Sequence, residues 1–444
     1  MKANSNKKEH SSAFLSTSQN ARHFMSAELT GAEMSSSDFG QILQSNDWLR
    51  EDGVAVYIHL PFCTAHGACF GSGSLTPDDT TMDRYLSHIQ HEMEQVNRLL
   101  QPRPILSQLH LGGGTPNYLS EPQLIRLMGA IEANFTINAA TELSLDASAR
   151  RSSLTQLELL KGLGFRHIAY KANDLSASVE QTFGRLDSFE ILRDAFNNTR
   201  EAGLETISMD LAYGLPEQSM ADIKERLRQI KELSPDRVSC HSYTANADAL
   251  RHHSMVDPDS IPSLADRLVM FNSIVDFMQS EGYDWIGLDY FAKSTDAIAK
   301  AHQQHHLHRN AIGYNTHGCP STLGFGTRAV SDINHRAVAE NHNSIEDWSG
   351  AIQRKELPIH GGMLLSEEQA SLRQIIQDLF CNLQVDDYSK LAFDDHSANK
   401  MKQLEDSGVL EIANDKAVVT AQGRFSLHHT VTQESNITPW LIAI

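Results

Sequence analysis

Val54-Ala-Val-Tyr-Ile-His-Leu-Pro-Phe-Cys63 opens as a short β-rich run and ends in a proline-led junction that carries a thiol. Val, Ile and Tyr suit a pleated, half-buried surface, so Val54–Leu60 reads as one strand. Outward from it the same pattern recurs. Further strands are expected at Leu106–Leu111, Thr141–Leu145, His167–Ala172, Thr206–Ala212, Arg237–Tyr243 and Tyr283–Leu288. Between them lie amphipathic stretches such as Met82–Leu99, Glu121–Asn134, Met220–Leu233 and Leu264–Glu281. Strand–helix alternation at spacings of roughly 30–45 residues builds βαβ units on a parallel sheet. Six or seven such units imply an α/β protein with a full or partial TIM-type (β/α) barrel.

Three regions are expected: an N-terminal arm over residues 1–50, the barrel over 51–360, and a smaller C-terminal unit over 361–444. In the last, Ser366–Leu383, Asp387–Ala392 and Asn399–Ser407 read as helices. Val409–Ile412 and Ala417–Thr420 read as a hairpin turning on Asn and Asp. Three helices and a hairpin make a winged-helix-like domain. Its would-be recognition stretch has only two cations, so a structural lid is expected rather than a nucleic-acid reader.

The 444-residue chain has a formal net charge of −19, which argues against a general nucleic-acid or anionic-membrane binder. No apolar run reaches the roughly 18–20 residues that span a bilayer. The first forty residues lack the apolar core of a signal peptide, and a cytoplasmic monomer is expected. Five scattered cysteines (Cys63, Cys69, Cys240, Cys319 and Cys381) do not form a disulfide framework. Histidine is plentiful, and Ala301–His308 holds a dense patch. A solvated loop is its ordinary reading and a metal site the alternative, because spacing alone fixes no geometry.

In a parallel barrel, chemistry sits where strands end. Five junctions stand out: the segment through Cys63, Leu111-Gly-Gly-Gly-Thr-Pro116, Met209-Asp-Leu-Ala-Tyr-Gly-Leu-Pro216, Gly287-Leu-Asp-Tyr-Phe-Ala292 and His308-Arg-Asn-Ala-Ile-Gly-Tyr314. The triple glycine lets backbone approach a ligand closely, though a tight turn explains it almost as well.

Taken in this order, from Val54 to the C-terminus, these segments resemble the oxygen-independent coproporphyrinogen III oxidase family of the radical-SAM superfamily. The resemblance implies a radical-SAM partial TIM-type barrel and a [4Fe–4S] cluster held by three cysteines spaced C-x3-C-x2-C. It also implies S-adenosylmethionine (SAM) as cofactor and oxidative decarboxylation of coproporphyrinogen propionates to vinyl groups. On the family's SAM-site positions fall Tyr57, Gly113, Gly114, Thr115, Asp146, Asn173, Arg185, Asp210, Thr244 and Val330.

This chain departs from the pattern at several of those places. Cys63 matches the first cluster ligand, but the next two positions are Gly67 and Phe70, and Cys69 is one residue out of register. Asp146 stands for a glutamate, Asn173 for a glutamine and Lys171 for a glycine. Arg22-His-Phe-Met-Ser-Ala27 replaces an aromatic and proline-containing arm segment. If Lys171 points into the barrel, an ion pair with Asp210 fills vacated space, and a Schiff-base lysine is the sharper alternative.

Three functions are open at this point. One is a tetrapyrrole-binding, chaperone or regulatory paralogue without the ordinary cluster, for which haem or a porphyrin is the expected ligand. Another is an active decarboxylase whose atypical cluster uses Cys63, Cys69 and a non-cysteine ligand. The third is a barrel repurposed for Lys171-based chemistry.

Overall fold

In most parallel sheets both strand faces are buried and the strands read as unbroken apolar runs, but here they alternate. In Glu142-Leu-Ser-Leu-Asp-Ala147, every second residue joins the hydrophobic core beneath the helices, and the rest face the other way. The same holds for Thr206–Tyr213, where Ile207, Met209, Leu211 and Tyr213 are core. A parallel sheet with one polar face has to curl around that face, and this one does. The computed structural model describes residues 32–45, 48–49, 53–62, 78–100, 102–171, 188–243, 260–287, 289–388 and 395–425.

A short strand β1 (Ala32–Glu33) and helix α1 (Ser36–Ser45) precede the first barrel strand, β2 (Val54–Leu60). Then follow α2 (Asp79–Asn97), β3 (Leu106–Gly113), α3 (Glu121–Asn134), β4 (Glu142–Ala147), α4 (Leu154–Gly162) and β5 (His167–Lys171). The barrel continues with α5 (Phe189–Glu201), β6 (Thr206–Tyr213), α6 (Met220–Leu233), β7 (Arg237–Ser242) and α7 (Leu264–Ser280). Helices α3 and α6 open with capping boxes, Ser120/Gln123 and Ser219/Asp222, which satisfy otherwise orphaned N–H groups.

Strands β2 to β7 pair in parallel in chain order. The seventh expected strand departs from this order. β8 (Tyr283–Ile286) pairs antiparallel with β9 (Tyr290–Lys293), which itself lies antiparallel to β7. The chain crosses back by α8 (Ala297–Gln303), β10 (His308–Arg309) and β11 (Tyr314–Asn315) to β12 (Thr322–Phe325), parallel to β2 on its free side. An antiparallel meander of β13 (Val330–Ile333), β14 (Ala337–Asn341) and, after α9 (Ile345–Gln353), β15 (Ile359–Leu364) then extends the sheet to β1. The result is an open 13-stranded sheet with a seven-strand parallel arc, a partial barrel.

Beyond it, α10 (Glu367–Asn382), β16 (Gln384–Val385), α11 (Asp395–Asp406), β17 (Leu410–Ala413) and β18 (Lys416–Val419) form a unit with its own apolar core. The hairpin lies one residue from its expected bounds and turns on Asn414 (φ 53°) and Asp415 (φ 64°), the two left-handed residues of a type I′ turn. Of the expected helix Asp387–Ala392, Asp387 lies in a bend with φ 53°, and residues 389–394 fall outside those described.

The C-terminal unit is fastened to the barrel by polar contacts. Arg373 makes a two-pronged pair with Asp332 (3.2 and 2.6 Å), both buried. The Arg424 guanidinium lies 3.9 Å over the Trp285 ring. The histidine patch also serves here: His302 Nδ1 meets the Cys381 carbonyl (2.7 Å) and His305 Nδ1 that of Asn382 (3.1 Å), at the end of α10. The patch stays largely exposed, as a solvated loop would, while these two histidines tie it to α10. Among the described residues no His/Cys/Asp/Glu group could hold a metal, and no helix is long and apolar enough to cross a membrane.

Candidate active site

Register stacks the polar face of the arc into rows. Tyr57, His110, Ser144, His167 and Thr206 stand side by side across β2 to β6. Toward the strands' C-terminal ends comes Asp146, Ala169, Ser208 and Arg237, and above it Lys171, Asp210 and Ser239. Barrel interiors are usually filled by branched aliphatics. The polar side chains of Tyr57, His110, Ser144, Asp146, Ser208 and Asp210 instead make an interior suited to a polar ligand.

One network, on β2 to β4, is tightly specified. Ser144 Oγ lies within hydrogen-bond reach of the Leu109 carbonyl (3.1 Å) and of His110 Nδ1 (2.9 Å). That leaves His110 Nε2 facing Asp146 Oδ1 at 3.4 Å. Tyr57 stacks on the His110 ring (6.0 Å between centroids, 12° between planes), and its hydroxyl reaches His59 Nδ1 at 3.2 Å. Burial, reinforced by the Asp146 charge, pushes the Tyr57 phenol well above its ordinary range, so it serves as a hydrogen-bonding group and not as a phenolate.

A second network runs across β4, β5 and β7. Arg237 pairs with Asp296 (3.0 Å) and His317 with Glu142 (3.0 Å). Burial, with the Arg237 charge, lowers His167 to about 4, so it is neutral. Burial opposes the Glu142 carboxylate, but the His317 hydrogen bond and charge outweigh it and hold the carboxyl below its ordinary value.

The triple glycine proves to be a packing joint. Gly113 has φ 96°, and a Cβ there would stand 2.6 Å from the His59 ring; one on Gly114 would stand 2.5 Å from the Phe62 carbonyl. The Gly114 and Thr115 N–H groups donate to Leu60 and Phe62 carbonyls, both at 2.9 Å. These two N–H groups are therefore committed to β2 and are not offered to a ligand.

Of the residues singled out from sequence, Tyr57, Asp146 and Asp210 line the arc in its first, second and third rows, and Gly113, Gly114 and Thr115 lie at and just past the end of β3. Val330 opens β13 beside Gly324, which stands opposite Tyr57. Lys171 ends β5 directly opposite Asp210 in the ladder. Cys63, Gly67, Cys69, Phe70, Asn173, Arg185 and Thr244 lie outside the described residues. His59, His110 and Ser144 were not anticipated. The signal for the first two was the inner-face alternation of β2 and β3, masked by attention to the glycines that follow.

An open parallel arc with its polar interior and strand-end junctions defines a radical-SAM protein, and residues 61–230 match the Radical SAM superfamily. More narrowly, the chain belongs to the oxygen-independent coproporphyrinogen III oxidase family. It is 30% identical over 408 residues to the Escherichia coli (strain K12) member, covering 89% of this chain and 88% of that protein. A Synechocystis member is 29% identical over 413 residues, with the same coverage of both. The crystal structure of coproporphyrinogen III oxidase from Escherichia coli superposes with a TM-score of 0.81 at 27% identity, over 91% of this chain and 96% of that one.

Proposed function

We propose that this chain is a tetrapyrrole-binding member of its family that serves haem or porphyrin metabolism without the ordinary three-thiolate cluster, as a binding, chaperone or regulatory protein. The observation that carries this reading is the donor set. A [4Fe–4S] cluster takes its ligands from thiolates at set spacing. Here Cys63 alone is in register, with glycine and phenylalanine at 67 and 70. One in-register thiolate is not a chelate for this cluster. The polar interior supports retention of a ligand with polar substituents. In this reading residues 51–360 form the ligand-holding unit and 361–444 a cover for it.

The test is anaerobic reconstitution with iron and sulfide. The expected result is no stable cluster in the parent and better assembly in the Gly67→Cys/Phe70→Cys double variant than in either single one. Four irons bound by the parent, with the cluster's broad visible absorption, would overturn the proposal.

A second reading, an active decarboxylase with SAM and an atypically ligated cluster, is favoured by Tyr57 and the Gly-Gly-Gly-Thr-Pro joint, which the chain keeps intact. A stable cluster in the parent would promote it. The Lys171–Asp210 pairing is supported by their ladder position. Borohydride trapping of a carbonyl compound on Lys171 would instead favour the repurposed barrel.

A further inference from the structure

The Asp-Leu-Ala-Tyr-Gly-Leu-Pro junction after β6 holds a feature that neither the fold nor the site above uses. Gly214 has φ 74°, and a Cβ on it would fall 2.5 Å from Cδ and 2.8 Å from Cγ of Arg267. The glycine thus clears a path for the arginine stem, which crosses from the first turn of α7 over the end of β6. There Arg267 NH1 donates to the Tyr243 carbonyl at 3.1 Å, just beyond β7, while its Nε is buried with no partner among the described residues. This is the C-terminal end of the barrel, the end at which such folds bind ligands.

The cation is out of place for this protein. The chain carries a net charge of −19, and two buried arginines elsewhere have carboxylates, Arg237 with Asp296 and Arg373 with Asp332, while buried Arg226 bonds the Gln229 amide. Arg424, without one among the described residues, spends its guanidinium on two carbonyls and the Trp285 ring. Arg267 has one carbonyl and, among the described residues, no carboxylate within ion-pair distance. Its own burial weakens its hold on the proton, with only Tyr213 opposing that. A half-buried guanidinium without a counter-charge is costly, and a planar fork of donors is the natural mate of a carboxylate.

We propose that Arg267 is a ligand-binding residue at the barrel mouth, held over β6 by the Gly214 gap to receive a carboxylate of the bound molecule. This rests on the tetrapyrrole reading for the identity of the ligand, and names the side-chain carboxylates of a porphyrin as what Arg267 receives. A purely structural clasp accounts for the NH1 contact with Tyr243, but not for the buried Nε or for the lack, among the described residues, of a counter-charge.

The experiment titrates full-length parent, Arg267→Gln and Arg267→Lys with coproporphyrin III and with its tetramethyl ester. In parallel, glutarate is titrated into protein carrying isotope-labelled arginine, and the Arg267 Nε–H resonance is followed. The expected result is that Arg267→Gln weakens the free acid by about tenfold or more while leaving the ester unchanged, with Arg267→Lys between. Equal weakening of acid and ester, or none, would assign Arg267 a structural role and overturn the proposal while leaving the tetrapyrrole reading intact. If the parent binds neither porphyrin but glutarate shifts the Arg267 resonance, the carboxylate site stands and the tetrapyrrole reading falls. If porphyrin and glutarate both fail, both are overturned.

Discussion

Glu92 shows how far one side chain can depart from its ordinary chemistry. It lies wholly buried on α2 and accepts from the Gly326 N–H (2.9 Å), the Asn341 amide (2.6 Å) and the Trp348 indole (3.1 Å). Burial raises its carboxyl from 4.5 to about 7, against the pull of those three donors. Neighbouring Tyr85 donates to the His59 carbonyl (2.9 Å) and receives the Thr327 N–H (3.0 Å). Together the two residues pin the turn after β12 against the end of β2, next to the family's cluster-bearing junction. Between pH 4.5 and about 7 the folded protein holds a proton that the unfolded chain has lost, so Glu92 makes stability fall as pH rises through that window. The loss amounts to about 3 kcal/mol over the whole shift. Glu92→Gln is expected to abolish that slope. It should also be less stable than the parent at pH 8, where its amide N–H groups would face donors. Urea unfolding at pH 5 and pH 8 checks both outcomes.

At the scale of elements, the joint between barrel and C-terminal unit rests on the Arg373–Asp332 pair, with His335 3.5 Å from the same carboxylate. Burial opposes the Asp332 charge, but Arg373 and His335 hold its carboxyl below the ordinary value. Arg373→Met leaves that carboxylate buried and unpaired, at an expected cost of roughly 3–5 kcal/mol, whereas Arg373→Met with Asp332→Leu should recover most of it. Denaturant unfolding of the single and double variants measures the coupling. None of this was legible in sequence, because Asp332 and Arg373 belong to units read separately. What could be read was local. Val54–Leu60, Glu121–Asn134 and Met220–Leu233 have the expected bounds because each has a clean apolar period and, for the helices, a capping serine. β12 to β15 were missed: runs of four to six residues, interrupted by glycine in Thr322–Phe325 and Ile359–Leu364, carry too little period to stand out. Tyr283–Ile286 was read as a strand, but no local feature shows that it pairs antiparallel at the edge. In the site, residues inside recognisable junctions were found and their supports, His110 and Ser144, were not. Arg267 could not be found, since only the fold brings its helix over β6.

For the whole molecule, two buried titrations at opposite places pull against each other. His167, inside the barrel, falls from 6.5 to about 4, so between those values the unfolded chain binds a proton that the folded one refuses. Stability from this source therefore falls as pH drops, while Glu92 makes it fall as pH rises over most of the same range. Each contributes a slope near 1.4 kcal/mol per pH unit when fully developed, with opposite sign. The contributions of these two groups are thus expected nearly to cancel from pH 4.5 to 6.5. Below that window, continued loss at His167 and protonation of Glu142, whose carboxyl lies under its ordinary value, both destabilise. Above 6.5, loss of the His317 proton, held up by Glu142, joins the remaining Glu92 loss. Single substitutions should expose the two halves of this cancellation. Relative to the parent, stability in Glu92→Gln should rise with pH across the window, exposing His167. In His167→Gln it should fall with pH, exposing Glu92, and the double variant should regain the parent's slope at lower overall stability. Urea unfolding at half-unit pH steps on the four proteins distinguishes this cancellation from the absence of both buried titrations. In that case all four profiles would be parallel, and neither group could be carrying the shifted proton that its surroundings impose.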